Sequence, residues 1–310
     1  MVPQYLVALL TAFLLALLVP LLDGVERKYV RARIQSRVGP PIIQTYYDLV
    51  KLFKKELLIP STASKLFILA PPTSFFVSIA ALFILPYSLS PSLGFEGDII
   101  LLAYLLVLSS LTSLLGGLAS GNPFAEVSSN RELSLILASE LFLGMGLAVI
   151  ALKYGSLRLH TVSTNLILLP SVLLAYLTLL YYAFIKSVRT PYDIAEAEPE
   201  IASGYMIEYS GPLLAFLILG NLTRRLLVSS LFTVITFGPV ISMATSPVNV
   251  EVLRYTLNAV LTISLSIIVY LSLGVVSVIH GRYRVIHALM SIKKYTLIPI
   301  TALILAVIGF

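Results

Sequence analysis

Five carboxylates crowd the stretch 189–211, RTPYDIAEAEPEIASGYMIEYSG: Asp193, Glu196, Glu198, Glu200 and Glu208, with Arg189 at its head. The sequence on both sides is almost purely apolar. Carboxylates gathered in a low-dielectric place repel one another, and desolvation raises their affinity for a proton. A row of that kind takes up a proton near neutral pH and passes it on, which is a coupling device that needs no cofactor of its own. A charge run is more often a solvated loop. Three details argue against that here. Tyr192, Ile194, Ile201, Tyr205, Met206 and Tyr209 are interleaved with the acids, so one side can be buried. Pro191 and Pro199 set local turns. Gly204 and Gly211 stand where backbones can approach closely.

Ionisable residues also interrupt the apolar segments. An ion at the centre of a membrane helix costs at least ~2.5–3.5 kcal/mol, so each one is a functional hypothesis. Glu132 and Glu140 lie about 12 Å apart along one helix and on roughly one side of it. Arg131, at the helix entrance, is placed to hold either carboxylate ionised. Arg224 and Arg225 fall near the middle of another apolar run, and Glu208 closes the acidic loop just before that run begins. Structural hydrogen bonding is the plainer role for Glu140, and a helix boundary with 212–223 as a re-entrant half is the plainer reading of the arginine pair.

These residues need elements to hold them. The 310-residue chain is 58% apolar and 12% charged, against about 25% charged in soluble domains. It reads as a single all-α integral membrane domain over 1–310. Eight stretches have the length and apolarity of spanning helices: 3–22, 66–86, 99–118, 133–152, 166–187, 212–240, 255–279 and 295–310. The first has no basic flank or cleavage pattern and reads as a retained helix. Nine basic residues fall in the loop 23–65, and Arg131, Arg189, Arg282, Arg284, Lys293 and Lys294 in loops on the same side. Only Lys153, Arg158 and Arg254 lie opposite. The positive-inside bias therefore places the large loops in the cytoplasm, both termini outside, and 188–211 as an acidic cytoplasmic loop. Within 41–59, Ile42, Ile43, Tyr46, Leu49, Val50, Phe53 and Leu57 recur at helical spacing opposite Asp48, Lys51, Lys54 and Lys55. That is an amphipathic helix lying on the membrane surface.

Several chemistries are excluded. The chain has no cysteine, so it offers no disulfide, thiolate zinc site or cysteine-ligated cluster. His160, His280 and His287 have no metal-ligand spacing, and no cofactor or metal is expected in this chain. The net charge of +6 follows from loop bias rather than from nucleic-acid binding. No Ser/His or His/Glu constellation supports an intramembrane hydrolase. No internal repeat is visible, which counts against a stand-alone transporter built from inverted repeats.

Motifs along nearly the whole chain resemble the NuoH family, the subunit 1 family of respiratory complex I. They are Gln35-Ser-Arg-Val-Gly-Pro40 followed by Gln44, Asp48, Lys51 and Lys55-Glu56; Arg131 with Glu140; Arg189-Thr-Pro-Tyr-Asp193 through Glu196 and Glu198 to Glu208-Tyr-Ser-Gly211; and Arg282-Tyr-Arg284. The resemblance implies a non-redox membrane anchor on which a hydrophilic redox arm docks. Its acidic loop and intramembrane glutamates would lead towards antiporter-like subunits that move H⁺ or Na⁺. On that reading the relay comprises Glu132, Glu140, Asp193, Glu196, Glu198, Glu200 and Glu208 with Arg131, Arg189, Arg224 and Arg225. The docking surface comprises Arg33, Gln35, Arg37, Gly39, Pro40, Gln44, Asp48, Lys51, Glu56, Arg282 and Arg284.

Complex I members carry a glutamate where this chain has Gly220-Asn221-Leu222, and an aspartate near Ile286-His287. The mid-helix arginines are more similar to the membrane subunits of energy-converting, group 4 nickel–iron hydrogenases and their ferredoxin-dependent sulfur-reducing relatives. That similarity implies a hydrogenase-like large subunit, an Fe–S small subunit, and small membrane and antiporter-like subunits as partners. Fe–S clusters, with a [NiFe] centre as one option, would sit in those partners. A quinone-tunnel subunit of a complex I-type enzyme and a stand-alone transporter remain the alternatives.

Overall fold

The computed structural model describes residues 2–89, 94–196, 198–248 and 250–309, with side chains from residue 8 onward and none at 198 and 199. Fourteen α-helices and no strand occur among the described residues. Seven helices are long and apolar enough to cross a membrane: Ala8–Ile34, Lys65–Ile84, Asp98–Leu118, Pro123–Tyr154, Gly211–Thr236, Glu251–Ile279 and Val285–Ile308. The fifth expected span is the shorter apolar helix Pro170–Lys186. Seven of the eight expected spans are therefore present in the expected order, and the fifth is a 17-residue helix, shorter than the other spans.

Boundaries differ from the expectations in ways that matter. The first helix, α1 (Val2–Val25), runs on through a π-turn, Glu26–Arg31, into α2 (Ala32–Ile34), so Arg27 to Arg33 are helical rather than loop. The surface segment 41–59 holds an 11-residue helix, α3 (Gln44–Lys54), which turns Thr45 and Leu49 inward. Then come α4 (Lys65–Ile84) and α5 (Asp98–Leu118). The next helix, α6 (Pro123–Tyr154), begins ten residues earlier than expected, capped by the Asn122 side chain with Pro123 in its first turn. Short α7 (Leu159–Thr164) precedes α8 (Pro170–Lys186). The acidic loop contains α9 (Glu198–Ile201) and a 3₁₀ turn, Gly204–Met206. The arginine-bearing helix α10 (Gly211–Thr236) is continuous, so no re-entrant break occurs at 223. Short α11 (Gly238–Ala244) leads to α12 (Glu251–Ile279). The last span is jointed, from α13 (Val285–Tyr295) into α14 (Leu297–Ile308).

α10 is the hub. It packs on α4, α12, α8, α3 and α1, and most of its residues are buried. Small residues let the loop 187–210 settle into this bundle. Gly204 has φ +60°, and a Cβ there would collide with the Ala195 carbonyl and the Ser128 hydroxyl. At Gly211 (φ +55°) a Cβ would meet the Glu56 carbonyl oxygen at 2.7 Å. On the lipid side, Leu9, Leu10, Leu14, Leu137, Leu141 and Ile304 are exposed, as spans require.

Candidate charge relay and docking face

The acidic loop folds back into the bundle and meets α10. Glu196 Oε1 accepts hydrogen bonds from the Tyr205 hydroxyl and the Asn221 Nδ2, each at 3.1 Å, and Asn221 Nδ2 also reaches Tyr205 at 2.8 Å. Asn221 Oδ1 in turn accepts from Arg224 Nη2 at 3.1 Å, one turn further along α10. The same nitrogen reaches Ser113 Oγ at 3.1 Å, the Ser109 carbonyl at 3.3 Å and Ser74 Oγ at 3.5 Å. Arg224 is thus anchored to α4 and α5 roughly 20 Å along its own helix, which offsets the penalty of a cation at that depth. Its Nε remains without a partner.

Glu132 sits beside this line, buried, with Oε2 unpartnered. The charges around it are Lys186, Arg224, Glu196 and Asp193. Further along α6, Glu140 Oε1 accepts from Lys186 Nζ at 2.6 Å. Lys186 is 3% exposed and Glu140 20%. Glu140 also borders a groove of about 450 Å³ between α5 and α6, lined by Tyr104, Val107, Leu143 and Leu147. Burial, together with the neighbouring Asp193 carboxylate, pushes the Glu196 carboxyl above its ordinary range. Arg225, the Tyr205 hydroxyl and Arg224 pull the other way. Burial also holds the Tyr205 hydroxyl protonated far into the alkaline range.

The remaining candidates separate from this line. Arg131 and Glu140 lie on opposite faces of α6, because nine residues turn a helix by about 180°. Arg131 holds neither Glu132 nor Glu140; it pairs with Glu200 at 2.8 Å. Glu208 accepts from Asn122 Nδ2 at the start of α6. The side chain of Glu198 lies outside the described residues. Arg189 is buried among the first helix and α12. Its Nη2 binds Glu26, its Nη1 donates to the Tyr270 carbonyl at 2.8 Å, and its guanidinium lies 4.3 Å from the Tyr270 ring centre. Glu26 is held from the other side by Arg31 at 3.0 Å; the π-turn brings residues five apart together. Asp23 pairs with Arg27 at 2.7 Å and accepts from Thr45 at 2.9 Å. Arg225 donates to the Ser187 carbonyl at 2.9 Å and the Val188 carbonyl at 3.2 Å, satisfying the end of α8.

The sequence alone does not point to Lys186, Asp23 or Glu26, and it marks Tyr205 and Asn221 without giving either a place in the relay. Lys186 carried one usable signal, a lone cation at the end of an otherwise apolar run.

The docking candidates form an exposed face. Arg33, Gln35, Arg37, Asp48, Lys51 and Glu56 are exposed, and Gln44, Gly39 and Pro40 half-buried. Their bonds are local: Arg37 to Gln35 at 2.8 Å and Gln44 to Asp48 at 3.0 Å. A Cβ on Gly39 would meet Lys28 Cα at 2.8 Å, which fixes this turn against the π-turn. Arg282 pairs with Asp193 at 2.7 Å, and Arg284 is exposed nearby. No group of three His, Asp or Glu residues able to hold a metal occurs among the described residues.

Fold and site together define a multi-pass, all-helical membrane protein built around buried, mutually bonded charge. The NADH dehydrogenase family profile matches residues 5–309. Hydrogenase-4 component C of Escherichia coli (strain K12) is 35% identical over 293 residues, covering 90% of this chain and 89% of that protein. The NuoH-type subunit of the NADH-quinone oxidoreductase of Campylobacter concisus (strain 13826) is 30% identical over 236 residues, covering 69% and 71%. A chain of the membrane-bound sulfane sulfur reductase, an archaeal respiratory membrane complex, has the same fold, with TM-score 0.79 and 24% identity over 97% of this chain and 99% of that one. The chain belongs to the NADH dehydrogenase family, as a membrane subunit of the NuoH-like oxidoreductase type.

Proposed function

We propose that this chain is the non-redox anchor and coupling subunit of a multi-subunit respiratory complex of the membrane-bound hydrogenase type. The observation that carries the reading is the bonded line Glu196–Tyr205–Asn221–Arg224, which joins an acidic loop to the charges buried in the membrane. Glu196 takes a proton at its carboxylate, favoured by burial and by Asp193. The fixed charge of Arg224 faces Glu132 and limits how many protons the line holds at once. Lys186 and Glu140 form the inner end, where Glu140 meets the groove between α5 and α6. A redox arm docked on the face from Arg33 to Glu56 and on Arg282 and Arg284 would change the charge beside Asp193 and so move the proton along. Both termini lie outside, and the surface helix α3 rests its exposed Val50 and Phe53 in the cytoplasmic leaflet. The partners carry the redox groups, Fe–S clusters and a [NiFe] centre, and antiporter-like subunits move H⁺ or Na⁺. The 35% identity to Hydrogenase-4 component C supports this type, as does Asn221 in place of a mid-helix glutamate.

A quinone-reducing complex is the second reading, favoured by the 30% identity to the NADH-quinone oxidoreductase relative. Gentle solubilisation, affinity capture of this chain, mass spectrometry of its companions and metal analysis separate the readings. Nickel, iron, a hydrogenase-like large subunit and antiporter-like proteins are expected. Iron without nickel points to the quinone or sulfur branch, and a chain recovered alone refutes the anchor role.

A further inference from the structure

Arg131, Arg282 and Arg284 converge on one cavity of about 400 Å³, also lined by Glu200, Ile194 and Tyr283. Three guanidinium groups thus face one lining carboxylate. Arg131 is engaged by Glu200 at 2.8 Å and Arg282 by Asp193 at 2.7 Å. Among the described residues the guanidinium of Arg284 has no ion pair and no hydrogen bond. Asp193 is held on one side only: Oδ2 binds Arg282, while Oδ1 is buried and unpartnered. The segment carrying both arginines is fixed over the acidic loop by the Tyr283 amide, which donates to the Pro191 carbonyl at 3.0 Å. Both existing pairs are partly exposed, Arg282 at 32% against Asp193 at 19% and Arg131 at 25% against Glu200 at 56%; the second is weak and exchangeable, while opening the first needs another carboxylate to take the place of Asp193 on Arg282.

We infer that this cavity receives an aspartate or glutamate side chain from an acidic segment of the docked soluble arm, which binds Arg284 and draws Arg282 away from Asp193. The charge complementarity is that of a planar guanidinium pair waiting for a carboxylate. The consequence for the relay is direct. Asp193 is the acid whose charge bears on Glu196. Stripped of Arg282, it repels the Glu196 carboxylate more strongly and favours loading a proton there. Docking and the first step of the relay become one event. The inference rests on the docking reading above and adds the partner's chemistry and its effect on Asp193.

The test uses the assembled complex, captured through a tag on this chain and washed with rising salt while release of the arm is measured. Arg284→Glu should release the arm at no more than about one third of the wild-type salt concentration. Arg158→Glu, at the start of α7 and paired with Glu96, should behave as wild type. Asp193→Asn removes the internal competitor for Arg282, so it should hold the arm to higher salt than wild type. Wild-type retention in Arg284→Glu, or weakened or unchanged retention in Asp193→Asn, overturns the inference while leaving docking on the face from Arg33 to Glu56 intact. Loss of bound anionic lipid from Arg284→Glu with the arm still held would assign the cavity to a headgroup and equally overturn it. A wild-type chain that carries no arm at any salt refutes the docking reading itself.

Discussion

Lys186→Met and Glu140→Leu, alone and together, test whether the inner end of the relay is a true ion pair. Their charged atoms are 2.6 Å apart. At an effective dielectric of about 20 the Coulomb attraction is about 6 kcal/mol, and desolvation of the two ions takes back most of it. Removing one partner leaves the other stranded, which typically costs about 3–5 kcal/mol. The two single variants should differ within that range. Lys186 is 3% exposed, so Glu140→Leu strands an ammonium away from water and costs about 5 kcal/mol. Glu140 borders the groove at 20% exposure, so Lys186→Met costs about 3 kcal/mol. The double variant replaces the pair with apolar side chains and should cost little, so the coupling approaches the sum of the two single losses, about 8 kcal/mol. The chain has no tryptophan, so unfolding in mixed micelles is best followed by far-ultraviolet circular dichroism against a denaturing detergent. Additive single effects would refute the pair. So would a larger loss in Lys186→Met than in Glu140→Leu.

The remaining predictions concern the loop and its anchors. Arg189→Ala leaves Glu26 buried beside Arg31 alone and should cost about 3 kcal/mol or more, read by the same unfolding assay. Gly204→Ala forces a side chain into a left-handed backbone against the Ser128 hydroxyl. Strain alone is about 1–3 kcal/mol, and assembled complex recovered from membranes should fall sharply. Glu196 binds its proton more tightly folded than unfolded, so its contribution to stability declines as pH rises from the usual carboxylate value through the raised one. Melting temperature plotted against pH should therefore fall less steeply for Glu196→Gln than for wild type over that interval, with parallel curves below it. Asn221→Leu breaks the bridge between Glu196 and Arg224 and should slow coupled turnover at least about tenfold, a loss of about 1.4 kcal/mol in the rate-limiting step. Unchanged coupled rates would remove Asn221 from the path.

Much of this was legible in the chain. Glycine at 204 and 211 marked close approach, and both positions prove to have positive φ and no room for a Cβ. Hydropathy placed the spans, because lipid demands long apolar helices. It fails where polar residues continue an apolar helix: Asp23 and Glu26 fall in an expected loop, whereas the end of α1 carries Asp23 to Thr45 and the π-turn carries Glu26 to Arg189. Arg131 was matched to the carboxylates nearest in sequence, yet helix geometry turns it away from Glu140 and towards Glu200. Lys186 was hidden for the opposite reason. A lone lysine at the end of an apolar run reads as an interfacial anchor, and only the packing of α6 on α8 brings Glu140 within reach. Pairings between distant segments, such as Glu196 with Asn221 or Asp193 with Arg282, leave no periodic trace in one sequence.

The account turns on protons passing through Glu196. The direct measurement is ion translocated per electron pair by the purified complex in sealed proteoliposomes, wild type against Glu196→Gln, with assembly verified by subunit content. The account predicts an assembled Glu196→Gln complex whose translocation per electron pair falls to a small fraction of wild type. A wild-type ratio at a wild-type rate in that variant would contradict the relay.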